Sequence, residues 1–248
     1  MKLLKAIIIC LFLVSCTANN VKTTKFDELK IESSLVSVNY NKNNEIISKT
    51  TEYFASNQQI VKKIINESVI EYKYIDGLCI SVESDEFITM FDYDEGGLLV
   101  HSTSTSSDGK IFETIDKEYD KDGNQVYSKS IQSEDIVTEV YIEYNNNNQP
   151  LIVTSINNKG EKNISKYTYN EMGDISNIEY ILNDLIISTI EYIYESGKLV
   201  QTISTSEAVI LTTYFYYDEL NRIIEEKTSK DFGSTFENRI EYSYKKEQ

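Results

Sequence analysis

The chain is poor in the residues that carry covalent and metal chemistry: it has one histidine, His101, and three cysteines, Cys10, Cys16 and Cys79. A zinc site takes three or four nitrogen or sulfur ligands, which His101 and Cys79 cannot supply. A Ser-His-Asp arrangement would have to use His101, which stands beside Ser102, Ser104 and Ser106 in a stretch that reads as a hairpin-connecting loop. Such triads are defined by geometry and not by nearby serines. No catalytic residue, metal or cofactor is therefore expected, and the chain reads as a non-enzyme. Positive charge is also scarce, with 24 basic against 40 acidic residues. A surface of that sign repels phosphate backbones and anionic headgroups, so nucleic acid is excluded as a partner. Neither a basic stripe nor a phosphate-cradling glycine loop is present. Asp120-Lys121-Asp122-Gly123 starts like a calcium loop, but the twelfth position is Ile131 where a bidentate Glu should stand. A hairpin turn explains those residues more simply.

Long apolar runs are missing too. The one stretch of note, Ala6 to Leu13, is too short to span a bilayer and follows Lys2 and Lys5, the pattern of an export signal. Leu13-Val14-Ser15-Cys16 comes directly after it and resembles the lipobox of bacterial lipoproteins. The resemblance implies cleavage before Cys16, a lipid on that cysteine, and attachment to the bacterial cell envelope. With no aspartate after Cys16, an outer membrane is favoured in a cell with two membranes. An ordinary secretory signal would also accept Ser15, but not specify the cysteine. Residues 1–15 are then the signal, 16–34 a lipidated tether, and 35–248 one domain. Loss of Lys2 and Lys5 would leave 22 basic and 40 acidic residues, a net charge of −18. Only Cys79 would remain in the domain, so no intramolecular disulfide is available and packing must supply the stability.

What the chain has in abundance is a repeated phrase of aromatic, any residue, tyrosine, then Asp or Asn. Its anchor tyrosines are Tyr74, Tyr93, Tyr119, Tyr144, Tyr169, Tyr194, Tyr217 and Tyr244, with a looser copy at Tyr40. From Tyr93 the steps are 26, 25, 25, 25, 23 and 27 residues, the mark of one supersecondary unit copied in series. Two residues before each anchor stand Tyr72, Phe91, Lys117, Ile142, Tyr167, Tyr192, Phe215 and Tyr242, of which Lys117 alone is charged. One residue before those lie Glu71, Met90, Asp116, Tyr141, Lys166, Glu191, Tyr214 and Glu241. Alternation of this kind predicts strands with one face toward a core and one toward water. Ile193, Tyr214 and Tyr216 depart from it.

Turn residues follow each anchor, as in Asp94-Glu95-Gly96-Gly97, Asp120 to Asn124 and Asn170 to Gly173, and then a second apolar run such as Leu98-Leu99-Val100. Each unit is a β-hairpin. Segments such as Thr103 to Gly109 and Asn157 to Asn163 are expected to be the loops between units. The fold class is all-β: a long antiparallel meander of eight or nine hairpins, rolled into an open half-barrel, a barrel or a shell.

The phrase Tyr-x-Tyr-Asp-x-x-Gly-x-Leu, in Phe91 to Leu99 and again from Lys117 to Asn124, resembles the tyrosine-aspartate (YD) repeats of the RHS type. That resemblance implies hairpins coiling into a hollow shell. Asn or Glu replaces Asp in several copies, so the likeness is degenerate. Two functions are expected: a lipid-anchored, non-enzymatic binding or scaffold module for a glycan or envelope protein, or a carrier that shelters an acyl chain or other apolar ligand. A filled interior would favour the first and an apolar cavity the second.

Overall fold

The computed structural model describes residues 29–133, 136–231 and 236–246. Eighteen strands follow one another: β1 (Ile31–Asn41), β2 (Ile46–Ala55), β3 (Ile60–Ile65), β4 (Ser68–Ile75), β5 (Leu78–Ser84), β6 (Phe87–Tyr93), β7 (Leu99–Ser106), β8 (Ile111–Tyr119) and β9 (Gln125–Gln132) in the first half. The second half runs β10 (Ile136–Tyr144), β11 (Pro150–Asn157), β12 (Lys162–Tyr169), β13 (Ile175–Leu182), β14 (Leu185–Glu195), β15 (Lys198–Ser206), β16 (Ile210–Tyr217), β17 (Ile223–Lys230) and β18 (Phe236–Lys246). Every strand pairs antiparallel with the next, and β1 pairs with β18 over nine positions from Ser33↔Lys246 to Asn41↔Asn238. The meander is therefore a closed barrel of nine hairpins with no free sheet edge. β1 begins at Ile31, four residues before the boundary read from the sequence. The lipobox residues Leu13, Val14, Ser15 and Cys16 lie outside the described residues.

The repeat phrase has a physical reason at each letter. In five copies the Asx side chain caps a tight turn. Asp94 Oδ1 accepts from the amides of Gly96 (2.9 Å) and Leu98 (2.8 Å), and Asp120, Asn145, Asn170 and Asp218 make the same pair of bonds to their second and fourth successors. Three residues after the Asx the chain enters the left-handed region, with Gly97 at φ 82 and Asn148 at φ 58, which glycine and asparagine tolerate. Carboxylate and amide oxygens accept equally here, so Asp and Asn interchange between copies. Where the Asx is absent the hairpin shortens to two residues, Asp76-Gly77 or Ser196-Gly197, both at positive φ as a type I′ turn requires.

The ladder register places all eight anchor tyrosines on one side of the sheet. On β6 the residues Phe87, Thr89, Phe91 and Tyr93 on that side are half-buried, while Ile88, Met90 and Asp92 between them are exposed. Side chains converge on the inside of a rolled sheet, so the crowded tyrosine side is concave and the charged side convex. Tyr167, Tyr169, Tyr192, Tyr194, Phe215 and Tyr217 all share it, as the sequence alternation predicts.

The core differs from that of a packed domain. Among the described residues only Ala55, Tyr74, Ile142, Ile178 and Ile181 are buried hydrophobics. Eight strands close around side chains that fill the interior, whereas sixteen to eighteen leave a channel. With 18 strands at 4.8 Å spacing and ordinary tilt, opposite backbones stand about 35 Å apart. The wall is a single layer around an open interior.

Two local expectations are corrected. Thr103 to Ser106 belong to β7 and not to a loop, leaving a connection of only a few residues before β8. Tyr40 is no copy of the anchor, since it is the next-to-last residue of β1, at the opposite rim, and its hydroxyl donates to Glu241 (3.2 Å). The ninth anchor position is Phe54, which occupies the same bulge at the end of β2.

Candidate functional site

The anchor tyrosines form a belt around one rim. Each sits at the end of an even-numbered strand and donates its hydroxyl to a backbone carbonyl at the start of the strand before. Tyr74 reaches Ile60 (2.8 Å), Tyr93 Cys79 (2.6 Å), Tyr119 Leu99 (2.7 Å) and Tyr144 Gln125 (2.7 Å). Tyr169 reaches Pro150 (2.6 Å), Tyr194 Ile175 (3.1 Å), Tyr217 Leu199 (2.8 Å) and Tyr244 Ile223 (2.9 Å). Seven of the eight stand at a register shift, where the bulge turns the ring across the ladder. Burial pushes up the phenols of Tyr74, Tyr119, Tyr144, Tyr169, Tyr194, Tyr217 and Tyr244, and most strongly Tyr74, so they stay protonated donors at neutral pH. The belt is structural: its hydroxyls are committed to the wall.

Below the belt the concave face is striped. Even-numbered strands present large side chains: Tyr72, Phe91, Ile142, Tyr167, Tyr192, Phe215 and Tyr242. Three of the odd-numbered strands between them present hydroxyls: Ser102 lies opposite Phe91 and Ile115, Ser128 opposite Val140, and Thr202 opposite Tyr192 and Thr213, while β5 and β11 present Val82 opposite Tyr72 and Val153 opposite Ile142. Aromatic rings thus stand on alternate strands about 10 Å apart from Tyr167 through Tyr192 and Phe215 to Tyr242, and again at Tyr72 and Phe91, with Lys117 and Ile142 between the two groups. β13 departs from the pattern, since Ile178 and Tyr180 stand beside Tyr167 and Ile190 and make one sector rich in tyrosine. These hydroxyl strands are what sequence reasoning missed. In Ser102-Thr103-Ser104-Thr105-Ser106 both faces carry hydroxyls, so hydropathy alternation is blind to the strand.

His101 lies within β7 on the convex side. Its Nδ1 is 2.6 Å from Asp116 Oδ1 and its Nε2 is 3.0 Å from Thr103 Oγ1. The order Asp, His, hydroxyl resembles an acyl-transfer relay, but β7 is paired on both sides and its amides are not gathered toward an oxyanion. Asp120 accepts from its own turn amides through Oδ1 and from the Asn124 side chain through Oδ2 (3.0 Å). Among the described residues no three His, Cys, Asp or Glu lie close enough to hold a metal ion. Burial pushes the Cys79 thiol up to about 11, so it is not an activated nucleophile.

The fold and wall define a class: an up-and-down β-barrel built from hairpin repeats, a shape compatible with binding or carrying a ligand. No protein-family profile and no curated protein matches the chain. Among solved structures it is similar to a porin-like protein from Bacteroides uniformis, at 9% identity and TM-score 0.53 over 88% of this chain and 96% of that one. It is also similar to part of the TcdB2-TccC3 crystal structure, at 13% identity and TM-score 0.43 over 80% of this chain and 12% of that one. A Photorhabdus luminescens Tc holotoxin pore structure gives 12% identity and TM-score 0.43 over 79% and 11%. The chain spans only about a tenth of the length of these last two proteins. The first likeness is one of fold alone.

Proposed function

We propose that this protein is an exported lipoprotein of the tyrosine-aspartate repeat type that binds a linear glycan along its concave face and turns nothing over. The single observation that carries the reading is the striped, unfilled interior. Aromatic rings stack on the C–H faces of sugar rings while Ser and Thr hydroxyls between them pair with sugar hydroxyls, and two β-linked units of a glycan nearly match the stripe spacing. A peptide is a poorer fit, because a closed barrel has no edge strand to extend by main-chain pairing. An acyl chain is a poorer fit as well, because a wide, wet channel with hydroxyls on its wall offers no dry cleft to bury it. Short turns at the described rims leave little loop for display, which moves the binding surface from the loops to the wall.

Attachment through Cys16 suits the convex face, where exposed Asp92, Asp116, Glu118, Glu143, Lys166 and Glu191 interrupt the exposed Ile88, Met90 and Tyr141 among the described residues, unlike the continuous apolar band of a membrane-spanning barrel. The tether enters at Ile31, at the tyrosine rim. Cys16→Ala should abolish the acyl mass and detergent-phase partition, and a mutant that partitions unchanged refutes the anchor.

Binding is tested by calorimetry with hexasaccharides of cellulose, chitin and hyaluronan. Tyr192→Ser with Phe215→Ser, both on the concave face, should weaken binding at least about tenfold, whereas Glu191→Ser on the convex face should not. Absence of binding to all three glycans, or equal losses from both faces, overturns the reading.

A further inference from the structure

Two charged residues occupy the aromatic position of the repeat, Glu52 two residues before Phe54 and Lys117 two before Tyr119; Glu52 pairs with Lys63, and the structure leaves Lys117 alone. It stands on the concave face two residues below the belt, directly opposite Ser128 on β9. The other charged side chains in the belly of that face have partners. Lys63 pairs with Glu52 at 2.8 Å, Glu113 accepts from Ser130 (3.2 Å) and Gln132 (2.9 Å), and Glu226 accepts from Tyr242 (2.6 Å). Among the described residues no carboxylate pairs with Lys117. Burial alone pushes its ammonium below the ordinary lysine range, with no acid contributing. Desolvating a cation without a partner costs stability, and here it does so in a chain with 40 acidic residues available to pair with it.

We propose that Lys117 is the acid-recognition point of the concave face, receiving the carboxylate of a uronic acid unit in the bound glycan with Ser128 beside it. The inference rests on the glycan reading and adds its specificity. A lysine head on a flexible stem offers a single point charge, which suits one carboxylate per disaccharide. Screening at physiological salt confines the repulsion of the remaining carboxylates by distant acidic turns, since charges more than about 8 Å away are damped.

The test compares hyaluronan hexasaccharide, which carries uronic acids, with its carboxyl-reduced form, which has the same backbone and no charge. Wild type should prefer the acidic form by about tenfold, the worth of one partly buried charge-assisted pair. Lys117→Met should abolish the preference while leaving affinity for the reduced form within about twofold, and Lys117→Arg should keep it. Both Met and Tyr fit a position that is apolar or aromatic in the seven other tyrosine-anchored repeats, so Lys117→Tyr serves as a second variant, and thermal melts should show each at least as stable as wild type. Equal wild-type affinity for the two glycans, or a preference that survives Lys117→Met, overturns the assignment while leaving glycan binding intact. Failure of wild type to bind either form removes the glycan reading and the assignment together.

Discussion

Removing one hydroxyl from the belt should destabilise the barrel in proportion to how dry that hydroxyl is. Tyr169→Phe keeps the ring and deletes only the donor to the Pro150 carbonyl, 2.6 Å away. Tyr169 is half-buried, so water can partly replace the lost donor, and the expected cost is about 1 kcal/mol. Tyr74 is only 8% exposed, so Tyr74→Phe strands the Ile60 carbonyl with less access to water and should cost about 1.5 to 2 kcal/mol. Tyr244 is 38% exposed, and Tyr244→Phe should cost less than about 0.5 kcal/mol. Urea unfolding followed by circular dichroism measures all three, and for a domain of this size each kcal/mol corresponds to about 2 to 4 °C in Tm. Tyr141→Phe, whose hydroxyl donates to Glu139 on the convex face, is the control and should be neutral. Equal costs across the belt, or a Tyr169→Phe protein as stable as wild type, would refute the view that these hydroxyls lace neighbouring strands together.

In the turns, Asn170→Ala deletes the acceptor for two amides at 2.9 Å and should cost about 1 to 2 kcal/mol by thermal melt, whereas Asp120→Asn should melt like wild type because amide and carboxylate oxygens cap alike. Hydrogen bonds from its own turn hold the Asp120 carboxyl below the ordinary carboxylate range; a depressed folded value stabilises above the unfolded pKa of about 4 and fades as pH falls through the folded one, so Asp120→Asn should flatten the acid limb of the stability profile. Seven of the belt phenols run the other way: raised in the folded state, they stabilise below about pH 10 and lose that contribution as pH rises through their folded values, so their share of the tyrosinate absorbance at high pH should appear only with loss of the β-sheet signal. With its thiol pushed up to about 11, Cys79 should react with iodoacetamide at pH 8 far more slowly than after unfolding.

Ring truncation deserves a smaller magnitude than burial in a packed core would give. The alternation around Tyr194 identifies its face correctly, yet the ring is only half-buried, so Tyr194→Ala falls below the 3 to 5 kcal/mol typical of a fully buried aromatic. Alternation reports which side a residue faces; it does not report how far away the opposite wall is. That distance is set by strand number and closure, and closure depends on β1 meeting β18 across two hundred residues. Local patterns carry no trace of it. The anchors from Tyr74 to Tyr244 were legible because bulge, Asx cap and positive φ recur at fixed offsets. Phe54 was hidden because it lacks both the hydroxyl and an Asx after it. The Ser and Thr strands escaped because their two faces have the same polarity, and Lys117 became informative only when its neighbours' partners were known.

Closure takes over the role that a filled core plays elsewhere. Strand contacts run only between neighbours, as in a solenoid, but a ring has no terminal repeat to cap and no edge to expose. The seam between β18 and β1 is the one joint without a turn to fix its register. There Arg239 acts as a clamp: its guanidinium lies 4.5 Å from the Tyr40 ring, bridges to Glu241 at 3.2 Å, and donates to Asn44 in the β1–β2 turn at 2.7 Å. This clamp sits at the rim opposite the tyrosine belt, and β1–β2 is also the joint where Phe54 leaves the belt without a hydroxyl. The two rims are therefore held by different means, hydroxyl lacing at one and a guanidinium at the seam of the other. A ligand reaching the concave wall must enter through a rim, because the ladder is continuous around the circumference. Under the proposed attachment, with the tether leaving from the tyrosine rim toward a membrane, the opposite rim would face outward, and the route of the proposed glycan to Lys117 would run the length of the wall before it reaches the lysine just short of the belt.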